Sequence, residues 1–189
     1  MSSSAEDWLG PAFHDLHPLL QALHRQPSML VGPVEVTFAR GFAGVVGRRL
    51  AARLGVPTMP GRHDFQVNIY SEGGVLHWVR RFDRQTAFHS RFEPVGRHPH
   101  GHWLERSGRL SLRLGVRVEA GGWHWVHQGT RWWGVPLPQA LMPTTIASKS
   151  IEDGRYRFSV AVAVVVPVLG SVMGYAGALL PMQDRVEAR

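Results

Sequence analysis

The residues from Leu110 to Glu119 alternate between apolar side chains and polar or small ones. Leucine and valine occupy positions 110, 112, 114, 116 and 118, and serine, arginine, glycine and glutamate lie between them. Because successive side chains of a β-strand point to opposite faces, this segment is predicted to be a strand with one buried face and one solvated face. Segments before and after it repeat the pattern, which indicates an antiparallel sheet rather than alternating strands and helices.

Most of the chain after residue 63 is predicted to form β-hairpins, each made of two strands with alternating hydrophobicity and a short turn between them. The turn signals are Glu72-Gly73-Gly74 and Ala120-Gly121-Gly122, each of which separates two runs of alternating hydrophobicity. The strands expected in this region cover residues 65–69, 76–82, 88–92, 103–105, 110–119 and 123–127. The charged tail at 183–189 is expected to fray.

The segment from Phe158 to Met182 contains no charged residue, and at about 25 residues it is long enough to cross a membrane as a helix. However, Pro167 and Gly170 interrupt it near the middle, and its run Val160–Val166 is rich in β-branched residues, which favour strands. We therefore expect two buried strands joined through residues 167–170, and this pattern disfavours a membrane span.

The N-terminal part is predicted to be mainly helical. Apolar residues at helical spacing indicate one helix within residues 8–25, which Pro18 is expected to kink or break. A short strand is expected at Val34–Phe38, followed by a second helix from about Phe42 to Leu54. A loop rich in proline and glycine then leads to the sheet.

These patterns predict an α+β fold. A curled antiparallel β-sheet of about 7–9 strands is expected to form a half-barrel or barrel. Two N-terminal helices are expected to cover one end or the concave side. The 189 residues are expected to form a single domain, made of a helical segment with one strand (1–62), an antiparallel β-meander (63–182) and a tail (183–189).

Cysteine content and charge exclude or disfavour several classes of function. The chain has no cysteine, which excludes a disulfide framework, a thiol nucleophile and a thiolate metal site. Its net charge of +7 comes from arginines scattered over nearly every segment, with Lys149 as the only lysine. Because the cations form no stripe, a nucleic-acid partner is disfavoured. The N-terminus lacks the features of a signal peptide, so we expect a cytoplasmic location.

Arg80 is the first candidate for a ligand-binding residue. On its expected strand it shares a face with Trp78 and Phe82, and that face is otherwise apolar. A buried guanidinium needs a partner, so one interpretation is an internal ion pair with Glu105 or Glu72, or extension of the side chain to the rim of the sheet. The other interpretation is that Arg80 binds the acidic head of an amphiphilic ligand whose tail lies on the aromatic face.

Ser90 and His127 repeat this arrangement of one polar side chain on an apolar face. Ser90 lies between two phenylalanines in the alternation, and His127 follows Trp125. Each of them is also compatible with a polar group that is simply satisfied within a core. The residues expected to bind the ligand are Arg80, Trp78, Phe82, Ser90, Trp125 and His127.

A metal site is the second kind of site that the sequence suggests. His98, His100 and His102 alternate, so in an extended segment their imidazoles would point to one side and could share a zinc ion. Pro99 and Gly101 interrupt the segment, however, and no carboxylate at metal-ligand spacing accompanies it. A solvated loop is therefore the other interpretation, and no further cofactor is predicted.

Several short motifs occur in a fixed order over nearly the whole chain. They are Leu9-Gly10-Pro11-Ala12-Phe13 with Leu16-His17-Pro18, Trp78-Val79-Arg80-Arg81-Phe82, Phe88-His89-Ser90, Leu137-Pro138 with Met142-Pro143, and Gly154-Arg155-Tyr156-Arg157-Phe158 followed by Pro167, Gly170, Tyr175 and Gly177. In this order they resemble an uncharacterised bacterial domain of unknown function, found alone or fused behind a saccharopine-dehydrogenase-like, nucleotide-binding domain. The resemblance implies no established activity and no site residues. The chain has no G-x-G-x-x-G after a strand, so dinucleotide-dependent chemistry would need a separate partner.

Three functions follow as alternatives. The first is non-catalytic binding of a hydrophobic or amphiphilic small molecule in the concavity of the sheet. The second is an accessory domain that docks on a separate dehydrogenase-like enzyme, and the third is a metal-dependent enzyme that uses the His98–His102 loop. The sequence has no glycine-rich phosphate loop, no G-x-S-x-G elbow and no paired carboxylates at helical spacing, so an enzymatic role is not favoured.

Overall fold

The computed structural model describes residues 3–83, 86–107, 110–138, 143–164 and 169–182. Within these ranges the helices are α1 (Ser4–Leu9), a 3₁₀-helix (Gly10–Asp15), α2 (Pro18–Arg25) and α3 (Gly41–Arg53). The strands are β1 (Ser28–Phe38), β2 (Gly61–Glu72), β3 (Val75–Phe82), β4 (Phe88–Val95), β5 (His102–Ser107), β6 (Leu110–Glu119), β7 (Gly122–Trp132), β8 (Val135–Leu137), β9 (Pro143–Glu152), β10 (Arg155–Val164) and β11 (Ser171–Pro181).

The strands form a closed antiparallel barrel. Their order around the sheet is β6-β5-β4-β3-β2-β1-β11-β10-β9-β7, and β7 pairs back onto β6 over its whole length. Ten strands therefore make a ring. β1 and β11 are neighbours in this ring although they lie near opposite ends of the sequence, and their pairing runs from Leu30 opposite Pro181 to Phe38 opposite Met173.

The remaining edge of β7 is divided between two strands. Its first part pairs with β9, where Trp123 lies opposite Lys149. Its last part pairs with the short strand β8, where Thr130 lies opposite Leu137. β8 is therefore an eleventh strand outside the ring, and β7 and β9 separate beyond Trp125.

The predicted curled antiparallel sheet is confirmed, and it is a full barrel. The predicted number of strands, about 7–9, is wrong, because ten strands form the ring and one more lies beside it. The strands that were not predicted are β8 and β9. β8 has only three residues with Pro136 at its centre, and β9 begins at Pro143, so proline weakens the strand signal of both.

The predicted helix within residues 8–25 is three short helices. α1 ends at Leu9, and the next residue, Gly10, has a positive φ of 57° that glycine adopts without strain. Pro18 interrupts the helical region as expected, but it does so by starting α2, where proline needs no hydrogen-bonded N–H. Nδ1 of His17 caps this start by accepting a hydrogen bond from the N–H of Leu19 at 3.2 Å.

The predicted helix 42–54 is confirmed as α3, which packs against β1 and β11. The contact is close because Gly47 faces β11: a Cβ atom there would overlap the carbonyl oxygen of Val172. The N–H of Ala39, just before the helix, also donates to this carbonyl at 3.1 Å. α3 is therefore the second of the two predicted helices, and the first is the segment that the structure divides into three short helices.

The uncharged C-terminal segment contributes the two strands β10 and β11, as predicted. The expected link around Pro167 and the expected tail at 183–189 lie outside the described residues. In the part of the chain that the structure describes, no helix combines the length and the apolar character needed to cross a membrane.

Large aromatic side chains fill the middle of the barrel. Trp125 is the centre of this group: its ring stacks on Phe92 at 5.4 Å between centroids and lies edge-on to Trp123 at 5.1 Å. Trp78 and Trp103 pack around the same ring at 6.4 and 6.3 Å. All of these residues are buried, so the barrel is a packed core over most of its length.

Candidate functional site

A small cavity of about 80 Å³ lies at the end of the barrel next to the C-terminal end of α3. Its wall combines two residues that follow α3 with inward-facing residues of β3, β4, β5, β6, β9 and β11. The lining residues are Leu54, Val56, Arg80, Phe88, Glu105, Leu110, Leu112, Thr145, Met173 and Tyr175. We call this the Arg80 cavity. Most of its wall is apolar, and Arg80 and Glu105 are its two charged groups.

Arg80 is held by three polar partners. One terminal nitrogen donates to the hydroxyl of Tyr175 at 3.3 Å, and the other donates to Oγ of Ser90. Ser90 in turn donates to Oε1 of Glu105 at 2.7 Å, and this carboxylate oxygen lies 3.6 Å from the nearest Arg80 nitrogen. The internal ion pair with Glu105, which the sequence left open as one interpretation, is therefore present.

The strand registers explain why these groups meet. Arg80 lies opposite Phe88 on the neighbouring strand, and its guanidinium carbon is 4.9 Å from the centre of the Phe88 ring. Ser90 is the next inward-facing residue of β4, and Glu105 has the same orientation on β5. The side chains of Arg80 and Glu105 are only 15% and 14% exposed, so the pair is largely withdrawn from water.

One donor of this network has no acceptor. Nε of Arg80 is buried, and among the described residues it makes no hydrogen bond. A buried donor without a partner costs free energy, about 1–3 kcal/mol for a typical group. An oxygen atom placed beside this nitrogen would remove that cost.

Trp78, Phe82 and Trp125, which the sequence suggested as walls of a binding site, lie in the packed core. Trp78 and Trp125 belong to the aromatic group in the middle of the barrel. Phe82 packs against Phe65 at 4.8 Å and against Tyr175 at 5.2 Å. None of the three is among the residues that line the Arg80 cavity.

His127 has a structural place beside the cavity. Its Nδ1 accepts a hydrogen bond from the N–H of Thr145 at 3.2 Å, and its Nε2 is 3.0 Å from Oγ1 of Thr130. The ring thereby replaces the strand-to-strand hydrogen bonding that β9 lacks where it separates from β7. Burial lowers the pKa of His127, which favours the neutral ring that this arrangement needs.

The three histidines of the predicted metal loop are not brought together. The backbone N–H of His98 donates to the carbonyl of Trp8, while the His98 ring packs edge-on against Trp8 at 5.8 Å. His100 is exposed. His102 lies at the start of β5, and its Nδ1 is 3.5 Å from a terminal guanidinium nitrogen of Arg113. Over the described ranges, no group of three or more histidine, aspartate or glutamate side chains is placed to hold a metal ion.

Residues 16–179 match the model of a family described as a domain of unknown function, DUF4166. This chain belongs to that family. No curated protein matches the chain. The match confirms the resemblance to an uncharacterised family that the sequence motifs indicated, whereas a fused dehydrogenase-like partner and a bacterial source stay predictions.

The sequence indicated only part of the Arg80 cavity in this DUF4166 domain. Arg80 and Ser90 were singled out from the alternation of their strands, and Glu105 was named only as one of two possible ion-pair partners of Arg80. Tyr175 and Thr145 carried no signal of their own, because the strand order that brings them to Arg80 is not readable from one sequence. Leu54 and Val56 were assigned to the end of a helix and a loop, with no indication that they close a cavity.

Proposed function

We propose that this DUF4166 domain binds a small amphiphilic molecule in the Arg80 cavity and does not transform it. The observation that carries this proposal is the buried Nε of Arg80, a residue of the cavity wall, for which the described residues supply no acceptor. A site with apolar walls and a few placed polar groups is typical of small-molecule binding.

The charge of the site favours a neutral head group. Arg80 is already compensated by Glu105, so a ligand carboxylate would meet the Glu105 charge as well as the guanidinium. A carbonyl or hydroxyl oxygen accepts from Nε of Arg80 without that repulsion. This modifies the expectation of an acidic head group, which rested on Arg80 alone.

The volume limits the size of the ligand. A water molecule occupies about 30 Å³ in the liquid, so 80 Å³ accommodates a head group and a few carbon atoms. A longer tail has to pass between Leu54 and Val56, which lie at the α3 side of the cavity. We therefore infer a short ketone, alcohol or amide rather than a full-length lipid.

The state of Ser90 supports binding over nucleophilic catalysis. Its hydroxyl donates to Glu105 and accepts from Arg80, so its hydrogen bonds are already made within the protein, and it is not among the residues that line the cavity. Ser90 is also fully buried behind Arg80. Its role in the proposal is to position the two charged groups.

The experiment is a comparison of three six-carbon probes: hexan-2-one, hexanoate and hexylamine. Binding is followed by ligand-observed NMR and by intrinsic tryptophan fluorescence. We expect hexan-2-one to bind more tightly than either ion. Leu54→Trp fills the cavity and should abolish this binding, whereas Val126→Trp adds the same ring on the outer face of β7 and should leave it unchanged. Absence of binding for all three probes, or equal binding to Leu54→Trp, contradicts the proposal.

A second candidate function, docking on a separate dehydrogenase-like enzyme, is favoured by one surface feature. Trp132, Trp133 and Val135, around the β7–β8 turn, are 49%, 64% and 63% exposed. Exposed apolar clusters of this kind mark interaction surfaces. The test is whether NAD(P)-dependent dehydrogenase activity co-purifies with the domain and is lost on Trp133→Ser. Co-purification that is equal for Trp133→Ser and for the unchanged protein would count against this surface.

A further inference from the structure

Lys149 is the only lysine of the chain, and it points into the barrel from β9 where it is fully buried. None of the ion pairs among the described residues includes it. A buried ionisable group without a counter-charge usually destabilises a fold relative to an apolar side chain of similar size. The fold itself therefore gives no reason for an amine at this position.

His24 and three tryptophans surround the amine. Nζ of Lys149 is 3.2 Å from Nε2 of His24, which α2 inserts into this end of the barrel. The centres of the rings of Trp78, Trp123 and Trp125 lie 4.0, 4.6 and 5.6 Å from Nζ. We call these five residues the Lys149 cluster.

The cluster favours a neutral amine. Burial lowers the pKa of Lys149 well below its usual value, and burial together with the neighbouring Lys149 lowers the pKa of His24. The tryptophan faces favour the ammonium form to some extent, but they supply no counter-charge. A desolvated neutral lysine next to a base has the properties of an amine nucleophile.

Three buried donors in the cluster and beside it have no acceptor among the described residues. When Nε2 of His24 accepts from Lys149, its proton sits on Nδ1, and this atom makes no hydrogen bond among the described residues. The same holds for the indole N–H groups of Trp123 and Trp103. The His24 and Trp103 rings both contact Trp123, with centroids 5.0 and 6.4 Å away. A carbonyl oxygen would supply the missing acceptor.

We propose that the Lys149 cluster captures a small aldehyde or ketone as an imine. The lone pair of Nζ attacks the carbonyl carbon, a C–N bond forms, and the carbonyl π electrons move to oxygen. His24 carries a first proton from the nitrogen to the oxygen, which gives a carbinolamine. It then carries the second amine proton to the hydroxyl, which leaves as water while the C=N bond forms. The step needs neither an oxidant nor a reductant, and water is its only other product.

The Lys149 cluster is covered by an N-terminal helix. α2 covers Lys149 and is tied to the barrel by the hydrogen bond from the N–H of His17 to the carbonyl of Gly121, at 2.9 Å. α1 is tied nearby by the contact between the hydroxyls of Ser4 and Ser71. The proposal therefore requires α2 to move outward before a small carbonyl compound can reach Nζ.

The test uses propanal with sodium cyanoborohydride on the folded protein, followed by peptide mass spectrometry. Because Lys149 is the only lysine, a propylated ε-amine reports this site alone. We expect native Lys149 to be modified, with half-maximal rate at a pH well below the usual lysine pKa. His24→Phe keeps an aromatic ring but removes the proton carrier, and it should slow the reaction by about tenfold or more.

Two controls keep the result interpretable. Lys149→Met should fold and show no modification except at the terminal amine. Leu54→Trp, at the Arg80 cavity, should leave the modification of Lys149 unchanged, so the two proposals fail independently.

If native Lys149 stays unmodified while guanidinium-unfolded protein reacts, the residue is a core lysine only and the proposal is overturned. A His24→Phe protein that reacts at the unchanged rate overturns the role of His24.

Discussion

The N–H of Thr145 on β9 donates to the imidazole Nδ1 of His127 on β7, 3.2 Å away, where the two strands have separated. A side chain thus replaces the main-chain acceptor that a continuous sheet would supply. On the other side of the ring, Nε2 lies 3.0 Å from Oγ1 of Thr130. The barrel wall at this point depends on a neutral histidine.

We expect His127→Ala to lower the free energy of unfolding by about 1–3 kcal/mol, because the N–H of Thr145 loses its acceptor. Since the pKa of His127 is lowered in the folded state, the unfolded chain binds the proton more readily. The stabilisation is therefore present above the unfolded pKa of about 6.5 and is lost as the pH falls below it. Urea denaturation at pH 5 and pH 8 measures both effects; a His127→Ala penalty that is equal at the two pH values would contradict them.

Lys149→Met should stabilise the protein at pH 7. The unfolded chain binds a proton on Lys149 that the folded chain does not bind, so the stability of the natural protein rises with pH until the unfolded pKa is reached. The rise for one such group is at most about 1.4 kcal/mol per pH unit. Chemical denaturation between pH 7 and 9 should show a steeper slope for the natural protein than for Lys149→Met, and parallel slopes would show that Lys149 is charged in the fold.

Glu105→Gln should change the ligand preference of the Arg80 cavity. The substitution keeps the shape and the acceptor for Ser90 but leaves the Arg80 charge without compensation. We expect hexanoate to gain affinity by about tenfold or more relative to hexan-2-one. Calorimetric titration of both probes checks this, with Glu93→Gln, at an exposed ion pair with Arg106, as the matched control. An unchanged ratio of the two affinities would show that Glu105 does not set the charge preference.

Gly47→Ala should weaken the packing of α3 on β11. The added methyl group meets the carbonyl of Val172, and overpacking of this kind costs about 1–3 kcal/mol. Arg49→Ala, on the exposed face of the same helix, should have little effect. Thermal unfolding compares the two variants, and equal transition temperatures would mean that α3 shifts to accept the methyl group at no cost.

Alternation along the chain predicted which residues point inward. Arg80, Ser90 and His127 were assigned to the buried faces of their strands, and each is found there. The period of two residues carries this information, since it determines the face of every side chain within a strand.

The partners across the barrel were not predictable in the same way. The hydroxyl of Tyr175 accepts a hydrogen bond from Arg80, which lies 95 residues away in the sequence. The two side chains meet because ring closure brings β11 into the same barrel as β3, with two strands between them. Hairpin turns determine only the pairing of neighbouring strands. Nor did the sequence indicate the neighbours of Lys149, since α2 brings His24 to it from 125 residues away.

The pairing of β1 with β11 has a consequence for the order of folding. The bond from Oγ1 of Thr37 to the carbonyl of Gly174 joins residues 137 positions apart. During synthesis, one edge of β1 stays unpaired until almost the whole chain has been made, because its partner β11 is the last strand. An unpaired strand edge can associate with other chains. Ring closure is therefore a late, slow step, and the growing chain is most exposed to aggregation just before β11 is complete.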